Sequence, residues 1–187
     1  MYICIAGKNE CSINAIKILT KYKISKKDIF ILPNTSDTGQ DSWQPSLKKF
    51  ARKNKFKVVT INKLYGINEL VLFSLEYEKI IDIDKFKSKK LFNLHFSLLP
   101  KYRGCHTNFL QIYNGEKYSG VTLHKINKGI DAGDIIDQKK FKIKLNDTAY
   151  DNYFRLMKCS VMLFKKNIKN ILNSNYILKK QNLSNGK

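Results

Sequence analysis

An α/β protein is predicted, built on an open, mostly parallel, Rossmann-like sheet of six or seven strands flanked by helices. Two observations carry the expectation. Short runs rich in Ile, Leu, Val and Phe alternate with segments of helical periodicity through the first half of the chain, which is the rhythm of βαβ units. A length of 187 residues with 43% apolar content suits one domain with a real core and leaves little room for a second.

The elements follow in order. Tyr2 to Ala6 reads as the first strand. After the turn Gly7-Lys8-Asn9-Glu10-Cys11, Ser12 is the expected N-cap of a helix to Tyr22 whose apolar stripe is Ile13, Ile16 and Leu19. That turn therefore sits at the carboxyl end of a strand, where open α/β sheets bind ligands. Ile29 to Leu32 is a strand, Ser46 to Asn54 a helix, and Phe56 to Ile61 a further strand. Leu70 to Ser74, Leu91 to Leu94, Gly120 to Ile126 and Ile135 to Ile143 complete the sheet. The last helix opens at Thr148 and Asp151, a start signal of the capping-box kind. It carries Tyr150, Tyr153, Phe154, Met157, Val161, Phe164, Ile168 and Ile171 as an expected core stripe to about Leu172. The catalytic domain is thus expected over 1–172. Residues 173–187 read as a frayed tail or the cut-off start of a C-terminal extension.

Composition narrows the function classes. The net charge of +20 arises from 35 Lys and Arg against 15 Asp and Glu. The positive residues are mostly lysines spread along the chain, as at Lys23, Lys26, Lys48, Lys53 and Lys57, which reads as solvated helix faces. What remains of the charge argument favours an anionic small molecule over nucleic acid. Cys4, Cys11, Cys105 and Cys159 form no Cys-x-x-Cys pair and no Cys/His cluster, so neither a metal nor a disulfide framework is expected. The N-terminus runs straight into a strand and no apolar run is long enough to span a bilayer, so a cytoplasmic protein without membrane attachment is expected.

Two segments carry chemistry. In Leu91-Phe92-Asn93-Leu94-His95-Phe96-Ser97-Leu98-Leu99-Pro100, Asn93 and His95 lie two apart on a strand and so share a face. In Gly129-Ile130-Asp131-Ala132-Gly133-Asp134, Asp131 sits in a loop whose glycines allow close approach of a ligand. An amide donor, an imidazole and a carboxylate serve acyl transfer when the nucleophile belongs to the substrate: one stabilises an oxyanion, and the others hold and move a proton. A lone histidine at a strand end is ordinarily structural, and loop Asn and Asp ordinarily cap turns. Spacing alone leaves both readings open. His124 reads as an ordinary strand residue, His106 as an exposed loop or helix-start residue, and Trp43 as partly buried in a loop, with stacking on a base as the alternative.

Asn-x-His-x-Ser-Leu-Leu-Pro with a following Lys101-Tyr102-Arg103-Gly104 loop, then Gly-Val-Thr-x-His and Asp-x-Gly-x-Ile-Ile, resembles the folate-dependent formyltransferases. The resemblance runs from Met1 to about Gln138 and implies the formyltransferase fold, with Asn93, His95 and Asp131 as the catalytic triad. It implies 10-formyltetrahydrofolate as formyl donor and no metal. The walls around its pterin are implied at Phe73, Tyr77, Lys79 and Ile80, and at Ile126, Gly129, Ile130 and Asp134, acting largely through backbone groups.

Within the family, glycinamide ribonucleotide enzymes resemble a Gly-x-Gly-Ser-Asn turn after the first strand, and methionyl-tRNA enzymes carry a further RNA-binding domain. Gly7-Lys8-Asn9, Phe73-Ser74-Leu75-Glu76-Tyr77 and Phe96 look more like the nucleotide-sugar N-formyltransferases. The implied substrate is a nucleotide-linked amino sugar, a dTDP-4-amino-4,6-dideoxyhexose, used for surface polysaccharide, with Asn9, Ser97 and Arg103 as substrate contacts. A homodimer is expected mainly with a C-terminal extension. The alternatives are phosphoribosylglycinamide formyltransferase, a methionyl-tRNA formyltransferase-like enzyme and a non-catalytic basic RNA-binding protein.

Overall fold

The computed structural model describes residues 1–22 and 24–182. Lys23 and the last five residues of the ending read as cut off lie outside the described residues. The chain packs as two compact units, one of Met1–Phe92 and one from Asn93 onward.

In the first unit the strand order is β3-β2-β1-β4-β5, where β1 is Tyr2–Gly7, β2 Ile29–Pro33, β3 Lys57–Val58, β4 Leu70–Leu75 and β5 Lys90–His95. β1 pairs in parallel with both β2 and β4, placing Ile5 beside Ile31 and Phe73. Ile3, Cys4, Ile5 and Ala6 have no exposed surface, as a strand covered on both faces requires. Helix α1, Asn9–Lys21, starts three residues before the expected Ser12 cap, with Lys8 at its N-cap. The cause lies at Gly7, whose φ of 151° brings its backbone so near β4 that a Cβ would stand 1.9 Å from the Leu75 carbonyl oxygen. The chain turns into the helix at once. Ser12 is instead buried, its hydroxyl donating to Leu75 O at 3.3 Å.

Helix α2, Leu47–Lys53, forms as expected, its N-cap Ser46 accepting from the Lys49 amide. The strand expected over 56–61 shrinks to the two exposed residues of β3, and a 3-10 turn at Ile61–Leu64 follows, burying Leu64. An edge strand has a partner on one side only, so little holds it extended.

In the second unit the order is β5-β6-β7, β5 being common to both, with β6 at Tyr118–Lys125 and β7 at Ile135–Lys142. β6 and β7 are an antiparallel hairpin with an irregularity between Leu123 and His124. A short helix α3, Thr107–Tyr113, precedes them. The last helix, α4, Ala149–Leu172, opens with the anticipated box: Thr148 accepts from the Asp151 amide while the Asp151 carboxylate accepts from Thr148. Its core face carries Leu156, Met157, Leu163, Phe164, Ile168 and Ile171, each contributing about 1.5–3 kcal/mol by burial. Tyr150, expected in that stripe, is 64% exposed and packs on Phe154 at a centroid distance of 4.6 Å. Beyond α4, Lys179 forms a bridge with Ile135, so this part of the tail is tied to the sheet and is not frayed. Among the described residues all four cysteines are free thiols, and no helix is long and apolar enough to cross a membrane.

Candidate active site

Asn93 and His95 project from one face of β5, and Asp131 reaches them from the loop between β6 and β7. Asn93 Nδ2 donates to Asp131 Oδ1 at 3.0 Å. His95 Nδ1 lies 3.3 Å from Asp131 Oδ2, and the Gly104 amide donates to that same oxygen at 2.9 Å. The three residues that the resemblance implies therefore meet.

The loop is built for this placement. Asp131 adopts φ 47°, a left-handed conformation that costs an L-residue of order 1 kcal/mol. Gly133 lets the loop lie flat on β6, for a Cβ there would stand 1.7 Å from the Lys125 carbonyl oxygen. The Lys125 amide donates to Asp134 O at 2.9 Å, closing the loop's base.

Hydrogen-bond partners assign the protons. His95 Nε2 is 2.6 Å from the Tyr102 carbonyl oxygen, which only accepts, so Nε2 carries the hydrogen. The free position, Nδ1, faces the Asp131 carboxylate and can take up a second proton there. Burial holds the His95 pKa below its ordinary value, while the Asp131 charge and the Tyr102 carbonyl act the other way. Burial also disfavours the Asp131 charge, but the neighbouring His124 and His95 rings and the Gly104 amide outweigh it and bring that carboxyl down to about 2. The pair is a fixed anion beside a buried, normally neutral imidazole, and it can hold one proton in transit.

His124 is the member sequence reasoning missed. It is a β6 residue as expected, 2% exposed, but its Nε2 lies 3.3 Å from Asn93 Nδ2 and 3.4 Å from Asp131 Oδ1. Its Nδ1 is 2.7 Å from the Lys125 carbonyl oxygen and so carries a hydrogen. In the neutral ring Nε2 is then an acceptor, and it fixes the Asn93 amide with its NH2 toward the acid. The 3.3 Å contact is the longer of the two made by Asn93 Nδ2, so its hydrogen is the cheaper one to redirect toward an incoming oxyanion. The Gly-Val-Thr-x-His motif held the signal, since His124 precedes Asp131 on the strand feeding its loop.

The other candidates divide. Ser97 is a correction: it is fully buried and donates to the Lys101 carbonyl at 2.7 Å, closing a turn and offering no atom to a substrate. Arg103 is exposed, as is His106 at the left-handed N-cap of α3. Gly129 and Ile130 are exposed, and Ile126 and Asp134 half-buried, along the Asp131 loop.

In the first unit, Phe73 has no exposed surface and stacks on Phe92 at 5.5 Å, so its side chain is core and only its backbone is left for a ligand. Tyr77 is half-buried, and Lys79 and Ile80 are exposed. Their loop is held by Asn34, which donates to Glu76 O at 2.9 Å and accepts from the Glu78 amide at 3.3 Å. Asn9 and Lys8 line a cavity of about 380 Å³ with Trp43 and Gln44. Trp43 is 66% exposed, against the expectation of partial burial, because Asp37 and Asp41 fold their loop onto the Ser46 cap with Trp43 outside it.

Among the described residues no group of His, Cys, Asp and Glu is arranged to hold a metal ion. The exposed Gly129 and Ile130 leave the backbone of the Asp131 loop open to a ligand.

Comparison with known proteins places residues 38–167 on the family model described as formyl transferase. The chain is 38% identical over 162 residues to the bifunctional polymyxin resistance protein ArnA of Wigglesworthia glossinidia brevipalpis, covering 80% of this chain and 25% of that protein. It is 30% identical to the methionyl-tRNA formyltransferase of Prochlorococcus marinus, covering 97% and 61%. The chain thus spans from a quarter to about three fifths of these curated relatives. Among solved structures, the Helicobacter canadensis N-formyltransferase in complex with folinic acid and dTDP-3-aminofucose superposes with a TM-score of 0.96 at 46% identity, covering all of this chain and 71% of that one. WlaRD, a sugar 3N-formyl transferase solved in the presence of dTDP and 5-N-formyl-THF, matches with a TM-score of 0.96 at 48% identity, covering all of this chain and 69% of that one.

Proposed function

The chain belongs to the formyl transferase family, and on that premise we propose that it transfers the formyl group of 10-formyltetrahydrofolate to the primary amine of a dTDP-linked amino sugar. The observation that carries the reading is the meeting of Asn93, His95 and Asp131 at one strand end. The substrate class follows from similarity: the two sugar N-formyltransferases stand at 46% and 48% identity, the methionyl-tRNA relative at 30%, and a phosphoribosylglycinamide enzyme at 17%. Both of those sugar enzymes are described with a 3-amino sugar or 3N transfer, so the amine position proposed is C3, in place of the C4 of the sequence reading.

The folate supplies a formyl group activated on nitrogen. The amine attacks its carbon directly, for among the described residues no Ser, Cys or Lys stands beside the cluster with a partner base to act as nucleophile. As charge grows on the formyl oxygen, Asn93 turns an amide hydrogen to it. The proton lost by the amine passes to His95 Nδ1, where Asp131 stabilises it, and from there to the departing nitrogen. Asp134, Gly129 and Ile126, with the backbone near Phe73 and Tyr77, are the groups proposed to hold the folate. Asn9 and Arg103 are proposed at the nucleotide sugar.

The test is to incubate the protein with 10-formyltetrahydrofolate and a panel of dTDP-3-amino sugars, dTDP-4-amino sugars, glycinamide ribonucleotide and methionyl-tRNA, scoring formyl gain by mass spectrometry. Formylation of a dTDP-3-amino sugar, lowered roughly 100- to 1000-fold in kcat by Asn93→Ala, is the expected result. Formylation of the tRNA alone sinks the reading.

A further inference from the structure

Gln181 lies in the segment that sequence alone takes for a frayed tail. Lys179 ties this segment to the start of β7, its amide and carbonyl exchanging two 2.8 Å hydrogen bonds with Ile135. Two residues on, Gln181 Nε2 donates to the carbonyl oxygens of Asp131 at 2.9 Å and Gly133 at 2.6 Å. Two carbonyls can only accept, so the amide must present its NH2 to them and its orientation is fixed.

These carbonyls flank Ala132, so the contact spans the part of the loop where Asp131 holds φ 47°. Such a conformation persists only where its surroundings over-determine it. The loop's own turn bond, from the Ala132 amide to Gly129 O, is 3.4 Å long. Gln181 makes the shorter bonds.

We propose that Gln181 is a positioning residue of the formyl-transfer site, holding the Asp131 backbone so that its carboxylate stays 3.3 Å from His95 Nδ1. This rests on the reading of Asp131 as the carboxylate that stabilises the transferred proton. The tail then belongs to the catalytic apparatus, through a clamp some 50 residues distant in sequence.

The chemistry of the clamp supplies its own test. In Q181L the donor is gone at every pH. In Q181E an ionised carboxylate faces two carbonyls and repels them, and only the protonated acid can donate to one. Proximity to those carbonyls raises that acid's pKa, so Q181E should recover relative to wild type as pH falls.

The experiment measures kcat and KM for wild type, Q181L, Q181E and D131N from about pH 8 to 5, with amide hydrogen exchange over residues 131–135. Q181L should lose roughly tenfold in kcat, about 1.4 kcal/mol, with both KM values within about twofold. Exchange in the loop should quicken, and the Q181E to wild-type ratio should rise several-fold toward low pH. Should Q181L fail to fold, the Q181E ratio decides, because it follows one folded variant against wild type across pH. If D131N is inactive while Q181E tracks wild type at every pH and loop exchange is unchanged, Gln181 does not position the acid. If D131N keeps its turnover, the reading of Asp131 falls first and the clamp proposal with it.

Discussion

Replacing Gly133 by alanine tests how tightly the acid must be held. The added Cβ would stand 1.7 Å from the Lys125 carbonyl oxygen and 2.8 Å from its carbon. Both are backbone atoms of Lys125, next to His124, which is the last residue of β6 paired with β7, so the strand yields less readily than the loop. The loop has to retreat by more than about 1 Å before the contact reaches even the short limit of non-bonded approach. Asp131 is two residues away and moves with it. A carboxylate 3.3 Å from His95 Nδ1 would pass beyond 4 Å and lose its hold on the proton, and a misplacement of about 1 Å costs on the order of 100-fold in rate. The retreat also opens the bond from the Lys125 amide to Asp134 O, and losing it costs about 1 kcal/mol of stability. The assay is formyl transfer under saturating folate together with a thermal melt. Gly133→Ala should fold, melt a few degrees lower, and turn over about 100-fold more slowly. A folded variant keeping more than about a third of wild-type kcat, an effect under about 1 kcal/mol, would refute the claim that loop placement sets the rate.

Two further outcomes follow from the same geometry. The Asp131 carboxyl titrates at about 2 in the folded chain against an ordinary 3.8, so its contribution to stability is complete above that ordinary value and is lost as pH falls from there through about 2. The melting temperature of wild type should exceed that of Asp131→Asn at neutral pH, and the gap should narrow only below about pH 4; a gap that is constant with pH contradicts the assignment. Ser46→Ala removes the acceptor of the Lys49 amide and the donor to Asp37, so it should lower the melting temperature by about 3 °C, the effect of roughly 1 kcal/mol in a chain of this size. Turnover with saturating substrates should stay within about twofold of wild type, which separates cap loss from site loss.

What was legible in the sequence was local. Ile3 to Ala6 and Leu70 to Leu75 announce themselves because a strand covered on both faces has to be apolar throughout. Asn93 and His95 could be placed on one face because the strand period is fixed at two, and Thr148 with Asp151 because a cap is satisfied within four residues. Helix α3 shows the opposite case. Its buried positions are Thr107 and Gln111, whose side chains donate to the Phe96 carbonyl at 2.7 and 2.8 Å, while Phe109 and Tyr113 stack on each other at 5.7 Å and are 52% and 76% exposed. A helix held by hydrogen bonds to one carbonyl has its polar side inward, so apolar periodicity looks for it on the wrong face. Ser12 misled for a related reason. A serine near a helix start is ordinarily a cap, but the close packing of Gly7 on Leu75 moves the start upstream and leaves Ser12 facing the same carbonyl from inside the helix.

The same division runs through the site. Asn93, His95 and Asp131 lie in motifs long enough to carry a family resemblance, whereas the residues that hold them are ordinary in type. Asp131 meets the Gly104 amide across 27 residues and Gln181 across 50; Gln181 lies in no motif, and the motif that contains Gly104 does not say what its amide meets. Each contact is set by where two loops come to rest, a consequence of the whole fold that no window of sequence contains. The orientation of Asn93 depends on such a contact too, because its amide is fixed by a histidine whose tautomer is in turn fixed by the Lys125 carbonyl. The identity of the groups proposed to react can therefore be read locally, while their geometry, on which an oxyanion donor depends, is decided by neighbours that look unremarkable until the chain is folded.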